Sequence, residues 1–174
     1  MKISTKQITL AGVLSAITIA ISALGVGFIP IPSLAGAATI MHIPVLVAGA
    51  ISGTLVGGFT GLIFGFFSFI QFGSIVGNNP IILFVPRILI GVLAALVFKS
   101  LVKKNIYIAS FLTGVIGTLV NTIGVIGFAV LFGYFTMEQA IIIISTNLPL
   151  EIILGSVSAT LILPILYRVL KKEA

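Results

Sequence analysis

The chain has 174 residues, of which 59% are hydrophobic and only 7% are charged. An ordinary soluble domain carries about 25% charged residues, so nine bases and three acids are too few to cover a water-soluble fold. This composition excludes a soluble globular protein and indicates an all-α integral membrane protein.

Apolar segments alternate with short breaks rich in glycine and proline along the whole chain. The first segment begins near residue 5 and ends before Gly25, where a proline-containing loop follows. The next apolar run, 39–72, is too long for one helix across the ~30 Å hydrocarbon core of a bilayer. Dividing it near Gly53 gives six predicted helices in a single transmembrane domain over 1–174. Their approximate bounds are 5–24, 39–52, 54–72, 80–103, 106–132 and 147–170.

Polar residues mark the predicted starts of later helices. Asn79 is a good N-cap for the fourth helix, with Pro80 at its first position. Pro86 either kinks this helix or marks its true start. Asn147 is the predicted N-cap of the sixth helix, and the stretch 133–146 before it is predicted to be a loop with room for a short amphipathic helix.

The positive charges predict how the chain is oriented in the membrane. With the N-terminus inside, six spans place eight of the nine bases on the cytoplasmic side, as the positive-inside rule requires. These bases are Lys2, Lys6, Lys99, Lys103, Lys104, Arg168, Lys171 and Lys172. Both termini are therefore predicted to be cytoplasmic, and the loops 25–38, 73–79 and 133–146 face outward. The basic clusters are orientation signals and do not indicate nucleic acid as a partner.

Small residues repeat every three or four positions on three helices. Such stripes allow helix backbones to approach closely in lipid. The third helix carries Gly53, Gly57, Gly61 and Gly65, and the fifth carries Gly114, Gly117, Asn121 and Gly124. We predict that both stripes pack inside the bundle. The first helix carries Gly12, Ala16 and Ala20, with Ala11 and Ser15 alongside. That stripe fits either internal packing or contact with a second membrane protein.

Polar side chains are rare within the apolar segments and gather toward the predicted outer side. Ionisable groups within a membrane are costly, so each is a functional candidate. The candidate binding residues are His42, Gln71, Asn78, Arg87, Asn121, Asn147 and Glu151. All but Asn121 belong to the outer half or the outer loops, which predicts a pocket open to the outside.

Two of these residues allow more than one interpretation. The bidentate fork of Arg87 suits the carboxylate or phosphate of an anionic substrate. The alternatives are an internal ion pair with Glu151 or snorkelling to the interface. Glu151 is itself either a ligand-binding group or a carboxylate stabilised by the dipole of the sixth helix.

Sequence motifs for catalysis and for metal binding are absent. The chain has one histidine, His42, and no cysteine, so no metal site or other cofactor is expected. It lacks the G-x-x-x-x-G-K-[ST] loop of ATP-binding proteins and the H-E-x-x-H motif. Three acids in all leave few groups for a membrane hydrolase. We therefore expect no enzyme.

The chain resembles the substrate-binding S components of energy-coupling factor (ECF) vitamin transporters. The most specific stretch is Ala38-Thr39-Ile40-Met41-His42-Ile43-Pro44-Val45, followed by Gly49, Gly53, Gly57 and Gly61. Within the family it is most similar to the pantothenate-type branch. Many members have Gly-Pro at the turn between the second and third helices, where this chain has Gly53-Thr54.

The resemblance implies a six-helix, vitamin-binding subunit of an ECF-type ABC importer in a prokaryotic plasma membrane. Such a subunit binds its vitamin near the outer face, under a lid of outer loops. It joins a transmembrane T component and two cytoplasmic ATPases, which use the ATP, and it topples to deliver its cargo inward. The small stripe on the first helix would then dock the T component, and Arg87 would bind the carboxylate of pantothenate.

Other functions remain open from the sequence. Folate, pyridoxine or riboflavin could replace pantothenate as the substrate. A self-sufficient carrier or channel would transport without ATPases, and a scaffold would tolerate loss of Arg87 or Asn121 without functional effect.

Overall fold

The computed structural model describes residues 5–30 and 37–172. In these ranges the chain forms six α-helices, one short 3-10 helix and a two-stranded antiparallel hairpin. The elements are α1 (Thr5–Ala23), β1 (Phe28–Pro30), β2 (Ala37–Thr39), α2 (Ile43–Ser52), α3 (Thr54–Phe72), the 3-10 helix (Gly73–Val76), α4 (Pro80–Leu101), α5 (Ile106–Leu131) and α6 (Met137–Lys172). Lys2 and the loop residues 31–36, to which sequence predictions refer, lie outside the described ranges.

Four of the described helices are long and apolar enough to cross a membrane: α4, α5, α6, and α3 together with the 3-10 helix. The other two are apolar but shorter. The ten residues of α2 extend about 15 Å, roughly half of a ~30 Å hydrocarbon core. The described chain is thus mostly helical, and four of its six helices are candidate membrane spans.

A single residue, Gly53, separates α2 from α3 at the predicted position. Its φ of +93° lies in the left-handed region that favours glycine. Next to this break, Gln7 Nε2 of α1 donates a hydrogen bond to Ser52 O at 3.1 Å. Asn79 caps α4 as expected, with its Oδ1 accepting from Ile81 N at 3.1 Å.

Two helix starts differ from the sequence prediction. Thr39 belongs to β2, where it pairs with Phe28 in the hairpin, and α2 begins only at Ile43. The sixth helix begins at Met137, so Asn147 is not its N-cap and most of 133–146 is helical. A capping box begins this helix. Thr136 N donates to the side chain of Gln139 at 3.0 Å, and Gln139 N donates to Thr136 Oγ1 at 3.2 Å.

Glycines bring α2, α3 and α4 into direct backbone contact. A Cβ built on Gly91 would lie 2.0 Å from Gly57 O, and one built on Gly57 would lie 2.5 Å from Gly49 Cα. One turn further along α3, a Cβ on Gly61 would lie 2.2 Å from Arg87 O. The predicted internal packing is confirmed for Gly57, Gly61 and Gly65 but not for Gly53, whose Cβ position has no described neighbour within 4 Å. This packing fixes the part of α4 that carries Arg87.

The stripe on α1 divides between two faces of the helix. Gly12, Ala16 and Ala20 are exposed, whereas Ala11 and Ser15 are buried against the bundle. Ala11 packs in an apolar cluster with side chains of α2 and α3. Of the five predicted docking residues, only Gly12, Ala16 and Ala20 therefore lie on the exposed face of the helix.

Candidate functional site

A cavity of about 700 Å³ lies among α3, α4, α5, α6 and the hairpin. Small-molecule sites occupy about 300–1,000 Å³ and are mostly apolar with a few polar groups. This cavity has that character. Its polar lining is Thr39, Gln71, Arg87, Asn121, Thr122, Gln139, Asn147 and Glu151, and its apolar lining includes Met41, Phe72, Leu83, Val125, Ile126 and Phe135.

The cavity and four of the described basic residues lie at opposite ends of the bundle. Its lining includes the hairpin, the 3-10 helix and the first turns of α6. Lys99 and Arg168 lie in the last turns of α4 and α6, and Lys103 and Lys104 form the turn between α4 and α5. Since α4 and α6 run from the cavity end to the other end, the charge asymmetry follows the long axis of the bundle.

Arg87 of α4 is the cationic side chain on the described cavity wall, and it is only 7% exposed. Its Nη1 donates to Asn121 O at 3.3 Å, and its Cζ lies 4.8 Å from the centre of the Phe64 ring. Among the described residues, Nε has no hydrogen-bond partner, and Arg87 makes no ion pair within 4.0 Å. The guanidinium therefore keeps hydrogen-bonding capacity that the described residues do not use.

Glu151 of α6 is buried and connects three elements. One carboxylate oxygen accepts a hydrogen bond from Thr39 N of the hairpin at 2.8 Å. The other accepts from the hydroxyl of Thr122 on α5. The residue lies 14 positions after the start of α6, and the helix dipole acts mainly within the first turn. The interpretation of Glu151 as a helix-terminus carboxylate is therefore wrong.

Three predicted amide residues also line the cavity. Asn121 and Asn147 are each 3% exposed, and the Asn121 Oδ1 has no hydrogen-bond partner in the described part of the chain. Gln71 has a different environment. Its Nε2 donates to Ser22 O at 2.9 Å and its Oε1 accepts from Ser22 Oγ at 3.1 Å. Gln71 thus links α3 to the end of α1 while facing the cavity.

Two predicted site residues are not on the cavity wall. His42 is fully buried at the start of α2, where its Nε2 lies 2.9 Å from Thr118 Oγ1 and close to the backbone of Gly155. Asn78 is exposed in the turn before α4, with a φ of +55°. The structure therefore brings together five of the seven predicted residues: Gln71, Arg87, Asn121, Asn147 and Glu151.

Several lining residues were not predicted from the sequence. Gln139 was placed in a loop, although the spacing of Thr136 and Gln139 is the sequence signature of a capping box. Thr122 gives no sequence signal, because threonine is common in membrane helices and bonds to the preceding turn, as Thr118 does to Gly114 O at 2.8 Å. The apolar lining is indistinguishable from lipid-facing residues in the sequence.

Comparison with known proteins identifies the kind of protein to which this cavity belongs. The family described as "ECF transporter, substrate-specific component" matches residues 6–169. The chain belongs to this family. It is therefore an S component, as the resemblance predicted, and a multi-pass membrane protein of a prokaryotic cell.

Two curated relatives of this S component are named as transporters of one vitamin. It is similar to "Pantothenic acid transporter PanT" of Lactococcus lactis subsp. cremoris, at 28% identity over 155 residues, covering 75% of this chain and 78% of the relative. It is also similar to "Pantothenate transporter PanT" of Leuconostoc mesenteroides subsp. mesenteroides, at 34% identity over 154 residues, covering 74% and 76%.

Proposed function

We propose that this S component binds pantothenate in the cavity and delivers it inward as part of an ECF-type importer. Arg87 carries the proposal, since it places a guanidinium that makes no ion pair among the described residues on the wall of a mostly apolar cavity. Pantothenate has a carboxylate at one end and an amide in the middle. Its other end carries two hydroxyl groups and an apolar branch of two methyl groups. The names of both relatives support this choice of vitamin.

The proposed contacts follow the chemistry of the ligand. Arg87 binds the carboxylate, because its planar fork matches a carboxylate geometrically. The free Asn121 Oδ1 accepts from the amide N–H or a hydroxyl. Met41 and Phe72 pack against the two methyl groups of the apolar branch. Glu151 acts indirectly, by holding Thr39 and Thr122 at the cavity.

A binding screen with purified protein tests the substrate. We expect pantothenate to bind tightly with one molecule per chain, and folate, riboflavin and pyridoxine to bind at least about 100-fold more weakly, because buried polar groups left unpaired by the wrong ligand are costly. Isothermal titration calorimetry measures both affinity and stoichiometry. Tighter binding of another vitamin would identify that vitamin as the substrate instead of pantothenate. Binding no better than millimolar for all four would contradict a vitamin-binding function.

We further propose that the cavity opens to the outside and that both termini are cytoplasmic. The bases at the far end of the bundle support this orientation by the positive-inside rule. The S component then docks through the exposed Gly12, Ala16 and Ala20 on a T component joined to two ATPases, and topples to release the vitamin inward. No cofactor on this chain is needed, because ATP is used by the partner subunits.

Ala16→Leu tests the docking face in liposomes that contain the S component, the T component and the ATPases. We expect pantothenate binding to be unchanged and ATP-dependent uptake to fall by roughly 5- to 150-fold, since overpacking a close helix contact costs roughly 1–3 kcal/mol. Gly127→Leu is the matched control, because Gly127 is also exposed, with no neighbour within 4 Å of its Cβ position in the described chain. Normal uptake with Ala16→Leu would show that the T component docks on another face of the S component. Uptake in liposomes without the ATPases would favour a self-sufficient carrier.

A further inference from the structure

A second groove lies between α5 and α6 at the basic end of the bundle, opposite to the cavity. It encloses about 440 Å³. Leu161, Pro164, Ile165 and Val169 form its apolar wall, and Tyr107 and Arg168 lie at its polar end. The contacts proposed for pantothenate involve none of these residues.

The polar end of the groove has unused hydrogen-bonding capacity. Arg168 Nη2 donates to the Tyr107 hydroxyl at 3.3 Å, and Arg168 Cζ lies 5.9 Å from the centre of the tyrosine ring. Within 5–30 and 37–172, Arg168 makes no ion pair within 4.0 Å. The Tyr107 hydroxyl accepts from Arg168, so its own proton is available to an acceptor. Together the two side chains offer several donors to an anion.

The apolar wall runs along the axis of α6. Leu161, Ile165 and Val169 are spaced four residues apart on α6 and are 63%, 64% and 51% exposed. Residues at i, i+4 and i+8 lie on one face of a helix. They form an exposed stripe about 12 Å long that leads away from Arg168 toward the middle of the bilayer. The acyl chain of a lipid whose head group lies at Arg168 would extend in the same direction.

The polar end of the groove lies at the depth of lipid head groups. α6 has 36 residues and is about 54 Å long, which exceeds a ~30 Å hydrocarbon core. Its last turns carry Arg168, Lys171 and Lys172, and such basic residues favour a position outside that core. Tyr107 is the second residue of α5, and tyrosine is enriched at the membrane interface. Lys103 and Lys104 precede it in the turn, where basic residues attract anionic lipid.

We propose that this groove binds one anionic phospholipid. Its phosphate lies between Arg168 and the Tyr107 hydroxyl, and one acyl chain follows Leu161, Ile165 and Val169. The guanidinium fork matches a phosphate in geometry as well as charge. The apolar stripe continuous with this phosphate site favours a lipid over free phosphate as the ligand.

Native mass spectrometry of the purified full chain tests the site with phosphatidylglycerol and phosphatidylcholine of identical acyl chains. We expect one phosphatidylglycerol to be retained, about tenfold more tightly than phosphatidylcholine. Both lipids carry the phosphate, but the quaternary ammonium of choline is repelled by Arg168 and by the neighbouring Lys103 and Lys104. Arg168→Gln should remove this preference and Tyr107→Phe should reduce it. Lys99→Gln removes the same charge from an exposed site at the same end and should leave the preference intact.

Each contrary outcome overturns the site in a defined way. Equal losses with Arg168→Gln and Lys99→Gln would mean general attraction to the basic end. Equal retention of both lipids would exclude recognition of the anionic head group. Displacement of phosphatidylglycerol by inorganic phosphate alone would identify free phosphate as the ligand. Thermal unfolding controls for folding, and if Arg168→Gln does not fold, an unchanged preference in Tyr107→Phe overturns the proposal. Pantothenate is absent from the experiment, so its result is independent of the proposed function.

Discussion

Arg87→Ala is expected to weaken pantothenate binding by about 1.5–3 kcal/mol, or roughly 10- to 150-fold in Kd. Arg87 is 7% exposed and its Nε has no described partner. A ligand carboxylate would therefore gain a charge-assisted hydrogen bond in a poorly hydrated site. Calorimetric titration of the wild-type and variant proteins measures the difference.

A neutral analogue separates this role from a structural one. The alcohol analogue of pantothenate lacks the carboxylate and should bind the wild-type protein weakly, whereas Arg87→Ala should bind acid and alcohol almost equally. Arg87→Lys keeps the charge but loses the planar fork, so we expect an intermediate affinity. Arg168→Ala, at the far end of α6, is the control for loss of an arginine. An unchanged affinity in Arg87→Ala would assign Arg87 to packing against Phe64 and Asn121.

The sequence predicted those cavity residues that are chemically unusual in a membrane helix. Arg87, Asn121, Asn147 and Glu151 stand out because polar groups are costly among lipid-facing side chains. The sequence could not assign their partners, since the hydrogen bond from Thr39 N to Glu151 joins residues 112 positions apart. It also could not resolve whether Arg87 pairs with Glu151, because that depends on distances set by the packing of α4, α5 and α6.

Two of the predicted site residues, His42 and Asn78, lie away from the cavity wall for local reasons. His42 follows the cavity-lining Met41 directly, but at the start of α2 its ring turns toward Thr118 and Gly155 instead. Asn78 adopts a left-handed backbone conformation, which asparagine tolerates better than most residues. Position near the cavity end of a helix therefore does not by itself place a polar side chain on the cavity wall.

The fold was most predictable where glycine or a cap determines the backbone locally. The break at Gly53 and the cap at Asn79 are both of this kind. The start of α6 was missed because Asn147 is two residues before Pro149, a pattern that also suits a helix start. In the structure α6 continues through Pro149, and Asn147 lines the cavity instead of capping the helix.

Gly91→Ala is expected to lower the free energy of unfolding by about 3 kcal/mol, the upper part of the range for overpacking a well-packed interior. Its Cβ would lie 2.0 Å from Gly57 O and 2.7 Å from Gly57 Cα. These are backbone atoms, which no change of rotamer can move. Relief requires separation of α3 from α4, and Gly49 of α2 lies in the same crossing, so three helices would have to shift together.

Gly127→Ala is the matched control, because it makes the same substitution on α5 where the described chain leaves open space around the Cβ position. Alanine is the better helix former by about 1 kcal/mol in water, so this variant should be as stable as the wild type or slightly more stable. Unfolding by denaturing detergent measures both variants. Gly91 lies one turn after Arg87 on α4, and a displaced α4 should also weaken pantothenate binding in Gly91→Ala but not in Gly127→Ala. Equal stability of the two variants would show that α3 and α4 do not cross at backbone contact, and the position of Arg87 would then need another cause.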